Sequence, residues 1–477
     1  MSSAVAKQQH MMEMIKMDEQ QQTQAKLGTE RIGKLLFQLA LPAIVAQIIN
    51  VLYNMVDRMY IGHIPNVGAD ALTGVGVTMP VIMAISAFAA LVSMGGAPRA
   101  AIMMGRKDHA QAEKILGNCT GILLVLAVVL TVVFQLFGRQ ILLLFGASEN
   151  TIGYAWDYMQ IYSMGTLFVQ VALGLNAFIS TQGFAKVSMY TVLIGAVSNI
   201  ILDPIFMFAL GMQVRGAALA TIISQCISSI WVVRFLTSKK SALRIKAANL
   251  RPKAKIILPC LALGVSPFIM QFTESVISVC FNTSLLKYGG DLAVGAMTIL
   301  ATVMQFSMLP LHGLVQGAQP IISFNYGAQN PQRIKEAFRL LLLSCAAYST
   351  LLWAISMFAP GVFIGMFTND AALAQYSAWA IRIYMAVSLL FGIQIACQQT
   401  FIALGNAKVS VFLALLRKVV LLIPLIFLLP QLFADKVMAV FLAEPIADFC
   451  AVATTAITFF YSFRKLMRSM EQGKNQS

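Results

Sequence analysis

Runs of apolar residues long enough to cross a bilayer, about 20 residues each, recur along nearly this whole 477-residue chain. Hydrophobic residues make up 58% of the sequence and charged residues 11%, against roughly 45–50% and about 25% in an average soluble domain. We count twelve runs, centred roughly on residues 48, 85, 124, 167, 198, 225, 270, 308, 347, 389, 420 and 450. The pattern predicts an all-α polytopic membrane protein with twelve transmembrane helices, because a helix satisfies all its backbone hydrogen bonds internally.

The second half of the chain repeats the first at an offset of about 222 residues. The matched positions are Tyr162 and Tyr384, Gly183 and Gly405, residues 185–188 and 407–410, Pro98 and Pro320, and Gly105 and Gly327. One offset shared by four separated segments indicates a duplication, with six of the predicted spans in each copy. Many secondary transporters are built from such repeats, with the substrate site between them, so transport is the first hypothesis.

The domain boundaries follow from changes in composition. Residues 1–33 are rich in Gln and Met and lack the apolar core of a secretory signal, which predicts a disordered tail in preference to a short amphipathic surface helix. The remaining predicted units are a first lobe (34–237), a basic linker (238–256), a second lobe (257–464) and a C-terminal tail (465–477).

The basic charge of the chain is concentrated on one side of the predicted membrane. The net charge is +15, and seven Lys or Arg residues with no acid among them lie between Lys239 and Lys255. Counting spans places these and most other basic loops on the side of both termini. This positive-inside bias predicts a multi-pass membrane protein with both termini cytoplasmic, and it argues against a nucleic-acid partner. Binding of anionic lipid by the basic surface is a second possibility.

Cysteine and histidine give no indication of a metal centre or an enzyme. The seven Cys lie in or at the ends of apolar runs without a CxxC pair, and the four His are scattered. Patterns of a catalytic triad, a phosphate loop or a zinc site are missing, so we expect neither a cofactor nor catalysis.

Acidic residues within apolar runs are the first candidates for function, because ionisable groups are costly inside a membrane. Asn199 and Asp203 are four residues apart and share one helix face, while Pro204 cannot donate to the carbonyl of Ile200. Oxygen atoms of this kind suit a hard cation, and a low dielectric favours the protonated carboxyl group. This patch predicts a cation or proton site, with a simple helix end as the alternative.

Asp57 and Glu274 are less certain from sequence. Asp57 is followed by Arg58, so pairing with another charge competes with a functional role. Glu274 lies with Gln271 and Thr273 in an otherwise apolar run, where either an inward-facing site or a protonated, hydrogen-bonded Glu fits.

Glu444 and Asp448 form a second acidic pair with helical spacing, in the twelfth run. The basic pair Arg417-Lys418 occurs in the preceding run and is expected to neutralise them. A structural ion-pair cluster is the favoured interpretation there.

Three segments together carry a family resemblance: residues 52–57 (Leu-Tyr-Asn-Met-Val-Asp), 199–206 (Asn-Ile-Ile-Leu-Asp-Pro-Ile-Phe) and 215–221 (Arg-Gly-Ala-Ala-Leu-Ala-Thr). Over roughly residues 30 to 465 the chain resembles the multidrug and toxic compound extrusion (MATE) transporters, and within them the DinF-like and MepA-like bacterial branch. The resemblance implies two six-helix lobes related by a pseudo-twofold axis around a V-shaped cavity. It further implies export of lipophilic, often cationic drugs in exchange for Na⁺ or H⁺ by alternating access, and we expect a monomer.

The resemblance also assigns residues to a site in the first lobe. Asp57 and Asp203 match the two aspartates that form the ion or proton site, which raises Asp57 above its standing from sequence alone. Asn199 and Thr221 match the oxygen-bearing residues beside them, so any Na⁺ would lie among these four side chains. Asn176 fits the fourth-helix asparagine of the same network.

The resemblance is to one branch only, and it adds a hinge and a substrate contact. Pro42 matches the proline at which the first helix bends. The related NorM-like branch pairs a seventh-helix glutamate, which Glu274 could match, with a tenth-helix aspartate, but the tenth run here offers only glutamines. Glu274 is therefore expected to contact a cationic substrate. The further substrate contacts expected are Gln271, Tyr53 and Asn54.

Two other functions remain as alternatives. A flippase for lipid-linked saccharides would need a cavity lined by basic residues to hold pyrophosphate, whereas the residues at membrane depth are mainly acidic. A membrane-embedded enzyme would need converging nucleophiles, bases or metal ligands.

Overall fold

The computed structural model describes residues 26–65, 67–367 and 370–474, and within these ranges the regular structure is helical without strands. We number the membrane spans α1 to α12. Those of the first lobe are α1 (Ile32–Gly62), α2 (Gly68–Gly105), α3 (His109–Leu144), α4 (Ile152–Met164 and Thr166–Thr181), α5 (Ala185–Pro204, continued as a π-helix over Ile205–Ala209) and α6 (Gln213–Thr237).

The second lobe has the same order of spans. Its first two, α7 and α8, lie on either side of Gly290 within Ala254–Gly327, because Gly290 leaves the helical conformation with a φ of 66°. The others are α9 (Pro331–Phe358), α10 (Ala371–Tyr384 and Phe391–Ala403, joined by a 3-10 turn over Ser388–Leu390), α11 (Ala407–Leu415, a π-helix over Leu416–Leu422, and Ile423–Leu432) and α12 (Lys436–Lys474).

The number of spans agrees with the sequence. Nine helices of the described residues are long and apolar enough to cross a membrane, and the bent pairs in α4 and α10 raise this number to eleven. The run Ala254–Gly327 counts as one of the nine, yet its 74 residues would extend for roughly 110 Å as a single straight helix. Its division at Gly290 therefore brings the total to twelve, and the predicted fold class is confirmed.

The two lobes repeat each other in backbone detail. α4 bends by 60° and α10 by 48° at matching places. Left-handed backbone conformations recur 222 residues apart, as do side-chain caps on the helices that follow. These positions are Lys107 and Gln329 (φ 62° and 53°), Gly183 and Gly405 (φ 91° and 77°), and the caps Asp108 and Asn330. The duplication thus preserves turns as well as spans.

The first span of each lobe also packs into the hydrophobic core of the other lobe. The start of α1, including Leu35 and Leu39, belongs to the hydrophobic core of the second lobe. The start of α7, including Ile257 and Cys260, belongs to a core of the first lobe. The lobes are therefore tied together at the side of the membrane where α1 begins and α12 ends, which we call the terminus side.

Glycines let the backbones of the two lobes touch on the terminus side. A Cβ atom added to Gly105 in α2 would lie 2.0 Å from the carbonyl oxygen of Phe324 in α8. One added to Gly327 in α8 would lie 2.0 Å from the carbonyl oxygen of Ile102 in α2. No larger side chain fits either position without separating the helices, so α2 and α8 close the molecule at this end.

Ordered structure begins before the predicted boundary at residue 34. Leu27 is buried, and its carbonyl oxygen accepts hydrogen bonds from Asn325 Nδ2 at 2.9 Å and from the Arg333 guanidinium at 3.2 Å. Arg333 also donates to the carbonyl of Glu30 at 2.8 Å. The part of the predicted disordered tail over residues 26–33 is therefore folded onto the second lobe, while residues 1–25 lie outside the described residues.

The linker and the C-terminal boundary also differ from the expectation. Gln182, fully buried at the end of α4, accepts hydrogen bonds from Ser241 Oγ at 3.0 Å, Ala242 N at 2.8 Å and Leu243 N at 3.0 Å. The predicted linker is thereby attached to the first lobe. Helix α12 continues to Lys474, past the boundary expected at residue 464, because this end of the helix packs Met467 and Met470 into the core.

Candidate functional site

The polar patch predicted on α5 exists with the expected geometry. Asn199 and Asp203 are 1% and 0% exposed, and Asn199 Nδ2 donates to Asp203 Oδ1 at 3.1 Å. The spacing of four residues puts both side chains on the face that α5 turns towards α1 and α6. Asp203 also lies at the end of the α-helical part of α5, just before the π-helix Ile205–Ala209, and it is buried inside the lobe.

Asp57 reaches the same patch from α1. It is buried, and its carboxyl group lies against that of Asp203 within direct interaction distance. Arg58 is exposed, and no ion pair joins it to Asp57 among the described residues. Two ionised carboxylates this close repel each other strongly, so the arrangement requires a proton or a cation between them.

Thr221 from α6 completes the arrangement. Its hydroxyl donates to the carbonyl of Ala217 at 3.0 Å, and its oxygen lies 3.5 Å from Asn199 Nδ2. Asp57 Oδ1, Asp203 Oδ2 and Asn199 Oδ1 are buried without a hydrogen-bond partner among the described residues. Unpartnered buried oxygens are costly, and a hard cation or a proton bound in this patch would satisfy them.

A small cavity of about 50 Å³ adjoins these residues, which is room for a few water-sized groups. Tyr53, Asn199 and Thr221 line it. Next to it is a central cavity of about 270 Å³ between the lobes. Asn50 and Asn176 line both cavities, and Asn176 Oδ1 is buried and unpartnered among the residues that the structure describes. Asn176 therefore lies where the polar patch of Asp57, Asn199, Asp203 and Thr221 meets the central cavity.

Sequence reasoning missed part of this site. Tyr158 on α4 lies beside Thr221 and Asp57, and its ring stacks on Tyr162 with centroids 6.0 Å apart. Ser224 on α6 lines the small cavity, one helical turn after Thr221. Both positions could have been found only from the periodicity of α4 and α6, because neither lies in an acidic or Pro-marked motif.

The other residues predicted to contact substrate or to act as a hinge lie in different places. Gln271 lines the central cavity, as a substrate contact would. Asn54 donates to the carbonyl of Asn50 at 2.6 Å, and it is absent from the described lining of both cavities. Pro42 is buried within α1, which runs through it as one helix.

Glu274 belongs to a charged cluster in the second lobe. Its carboxylate pairs with Lys418 Nζ at 2.8 Å. Arg417 pairs with Asp448 at 2.6 Å and with Glu444 at 3.7 Å. The predicted pairing of Arg417 with these two acids is confirmed, whereas Lys418 takes Glu274 as its ion-pair partner. Arg417 and Lys418 are adjacent residues of the π-helix Leu416–Leu422, so their side chains leave the helix in different directions and face different acids.

The tenth span supplies amides to the second lobe, as its sequence indicates. Gln394 donates to Gln398 at 3.1 Å, and Gln398 donates to Ser266 on α7 at 3.4 Å. Gln394 and Gln398 are buried. A carboxylate pair between α7 and α10 is therefore not formed by these residues.

Comparison with known proteins agrees with this architecture. The family model MatE matches residues 42–205 and 267–428, which is more than half of the chain. The multidrug export protein MepA of Staphylococcus haemolyticus is 26% identical over 423 residues, covering 88% of this chain and 92% of that protein. MepA of Staphylococcus aureus is 23% identical, covering 92% and 96%.

Solved structures show the same fold. The MATE multidrug transporter DinF-BH, solved in complex with a ligand, is 33% identical with a TM-score of 0.84, covering 91% of this chain and 96% of that one. A MATE protein solved in a bent conformation has a TM-score of 0.88 at 20% identity, covering 94% and 99%. The sequence match, the twelve spans and the two repeated lobes lead to one conclusion: the chain belongs to the MatE family and is a multidrug efflux transporter of the membrane, not an enzyme.

Proposed function

We propose that the chain is an antiporter that exports lipophilic, often cationic compounds in exchange for Na⁺ or H⁺. The observation that carries this proposal is the contact between two buried carboxyl groups, Asp57 on α1 and Asp203 on α5. They come from different helices, so a change in their charge alters how α1 packs on the lobe. An ion or proton that binds one packing more tightly than the other shifts the equilibrium between the two.

The ion would be held by oxygen atoms already at the patch. For Na⁺ these are the carboxylates of Asp57 and Asp203, Asn199 Oδ1 and Thr221 Oγ1, with Asn176 at the entrance. For H⁺ the two carboxyl groups share the proton. Both choices neutralise the same repulsion, and Pro42 in α1 is the proposed hinge through which that helix responds.

The substrate would lie in the central cavity. Gln271 lines it, and Glu274, one helical turn further along α7, has a side chain 52% exposed. Tyr53 lines the adjoining small cavity. The described lining of the central cavity contains neither Lys nor Arg, which supports a cationic drug over the pyrophosphate of a lipid-linked saccharide.

The proposed orientation in the membrane rests on the charge distribution. The basic residues on the terminus side support a cytoplasmic location for both termini, in the bacterial inner membrane. One net positive charge moving inward per drug exported at about 100 mV contributes about 2.3 kcal/mol, which sustains a roughly 40-fold drug gradient.

The test is drug efflux from proteoliposomes with the Na⁺ gradient and the pH gradient imposed separately. Asp203→Asn should lose efflux driven by whichever gradient drives the wild type, because its buried charge is gone. Asp157→Asn is the matched control, since that carboxylate is partly exposed and paired with Arg215 at 2.8 Å. Gradient-driven efflux by Asp203→Asn at the wild-type rate would refute the assignment.

A further inference from the structure

The charged cluster of the second lobe has an unequal number of acids and bases. Glu274 (α7), Glu444 and Asp448 (α12) supply three carboxyl groups, and Arg417 and Lys418 (α11) supply two cationic side chains. Glu444, Asp448 and Lys418 are 2%, 2% and 5% exposed. An uncompensated charge at such depth is costly, so the cluster requires one more positive charge.

The hydrogen bonds indicate which acid lacks a partner. Asp448 accepts a short 2.6 Å bond from Arg417 Nε, and Glu274 is paired at 2.8 Å with Lys418. Glu444 has only a 3.7 Å contact with Arg417, and its Oε2 atom is buried without a hydrogen-bond partner among the described residues. A proton on Glu444 would therefore disturb the other ion pairs of the cluster least.

Lys418 interacts with both glutamates of the cluster. It is bonded to Glu274 and close enough to Glu444 to interact electrostatically. It belongs to the π-helical turn Leu416–Leu422, which widens α11 at this point. A lysine ammonium on a flexible four-carbon chain can move from one carboxylate to the other without moving the backbone.

Two other titratable side chains face the cluster. His312 on α8 lies near Glu274, and Tyr384 on α10 lies near Glu444 and Asp448. The tyrosine is neutral at physiological pH, whereas a protonated His312 would supply the missing positive charge, so its variant is part of the test.

We propose that this cluster exchanges one proton for one monovalent organic cation. Without drug, Glu444 is protonated and Lys418 neutralises Glu274. A drug cation entering from the central cavity takes the half-exposed carboxylate of Glu274, and Lys418 turns to Glu444. The carboxyl O–H of Glu444 then breaks, its electron pair stays on the oxygen, and the proton leaves to water. The cluster is neutral before and after, with one cation gained and one proton lost.

This inference rests on the proposed role of Glu274 in holding substrate, and it adds a substrate class and a second coupling site. Cations of charge +1 restore neutrality, whereas neutral compounds do not displace the lysine. The proton exchanged here is separate from the ion at Asp57 and Asp203 in the first lobe.

The test uses the purified full-length protein in detergent and tetraphenylphosphonium, a permanent monovalent cation with no proton of its own. We expect about one proton released per cation bound, and an affinity that weakens about tenfold per pH unit at low pH. Triphenylphosphine, which has the same rings without the charge, should release none. Failure of the cation to bind, or binding without proton release, would overturn the inference.

Variants assign the proton to its residue. Glu444→Gln should abolish proton release and make the cation affinity independent of pH, with the protein still monodisperse. Glu113→Gln is the control, because that glutamate is paired with Lys246 outside the cluster. Release that persists in Glu444→Gln but disappears in His312→Gln would also overturn the inference.

Asp203→Asn separates this inference from the proposed function. Normal proton release by Asp203→Asn together with loss of gradient-driven efflux would support both. Loss of release in Asp203→Asn, with release kept in Glu444→Gln, would assign the proton to the first lobe and overturn the inference alone. Loss of release in Glu444→Gln, with efflux kept in Asp203→Asn, would leave the inference standing and the first-lobe assignment refuted.

Discussion

Replacing Gly105 by Ala should force the two lobes apart on the terminus side. The new Cβ atom would lie 2.0 Å from the carbonyl oxygen of Phe324, and real Cβ atoms essentially never come closer than 3.0 Å to such an atom. Because the obstacle is backbone, no rotamer change relieves it, and α2 must move from α8 by about 1 Å. Gly327→Ala should act in the same way from the other lobe.

The size of the effect follows from the cost of overpacking. Extra carbon atoms in a packed interior cost about 1–3 kcal/mol, and this cost disappears when the lobes separate. The gain in helix propensity from Gly to Ala, up to about 1 kcal/mol, is the same in both arrangements and cancels. The population with separated lobes should therefore rise by about 5- to 150-fold.

Alkylation of Cys260 measures this population. The thiol is 0% exposed and belongs to α7, yet it is buried in a core of the first lobe, so separation of the lobes uncovers it. A water-soluble maleimide applied to the purified protein, with the Cys260 peptide quantified by mass spectrometry, gives the rate. The labelling rate should rise by about 5- to 150-fold in Gly105→Ala and Gly327→Ala.

A matched control lies in the same helix. Gly76 in α2 has no atom within 4 Å of an added Cβ, so Gly76→Ala should label Cys260 at the wild-type rate. If folded Gly105→Ala and Gly327→Ala proteins both label within twofold of wild type, the reasoning that these glycines hold the lobes closed is refuted.

Two further predictions concern stability. Gln182→Met removes the acceptor shared by Ser241, Ala242 and Leu243. It should lower the free energy of unfolding in detergent by about 2–5 kcal/mol and leave the drug affinity unchanged. A loss below about 1 kcal/mol would contradict the assigned role of that side chain. Arg417→Leu leaves the buried carboxylate of Asp448 without its partner and should lower the free energy of unfolding by about 3–5 kcal/mol. Lys335→Leu breaks the exposed pair with Glu471 and should lower it by less than about 1 kcal/mol. Equal losses in the two variants would argue that the Arg417 pair is no more structural than a surface one.

The fold could be predicted from the sequence because its determinants are local or repeated. Apolar runs define the spans, and the 222-residue offset identifies two similar lobes. The bends within α4 and α10 could not be predicted, because no proline marks the turns at Gly165 and Met385. The early start of ordered structure was also hidden, since Leu27 is held by Asn325 and Arg333 from the far half of the chain.

The part of the first-lobe site that lies on the single helix α5 could be predicted from the sequence. Asn199 and Asp203 share a face of α5, so their spacing alone brings them together. That Asp57 faces Asp203 came from family resemblance, because contacts between α1 and α5 are tertiary. In the second lobe, the sequence predicts that Lys418 neutralises Glu444 and Asp448 together with Arg417. The π-helical turn in α11 changes the helical phase there, and the lysine pairs with Glu274.

The contact between Gly105 and Gly327 indicates how the two-lobed molecule arose. Each glycine meets the helix of the other at the same place, and the two are equivalent positions of the repeat. A contact in which residue i of one unit meets residue j of the other, and j meets i, is the form of an isologous dimer interface. A single six-helix half carrying one such glycine would make the same contact with a second copy of itself. Fusion of two copies into one chain preserves this interface, and it frees the acids of each half to diverge.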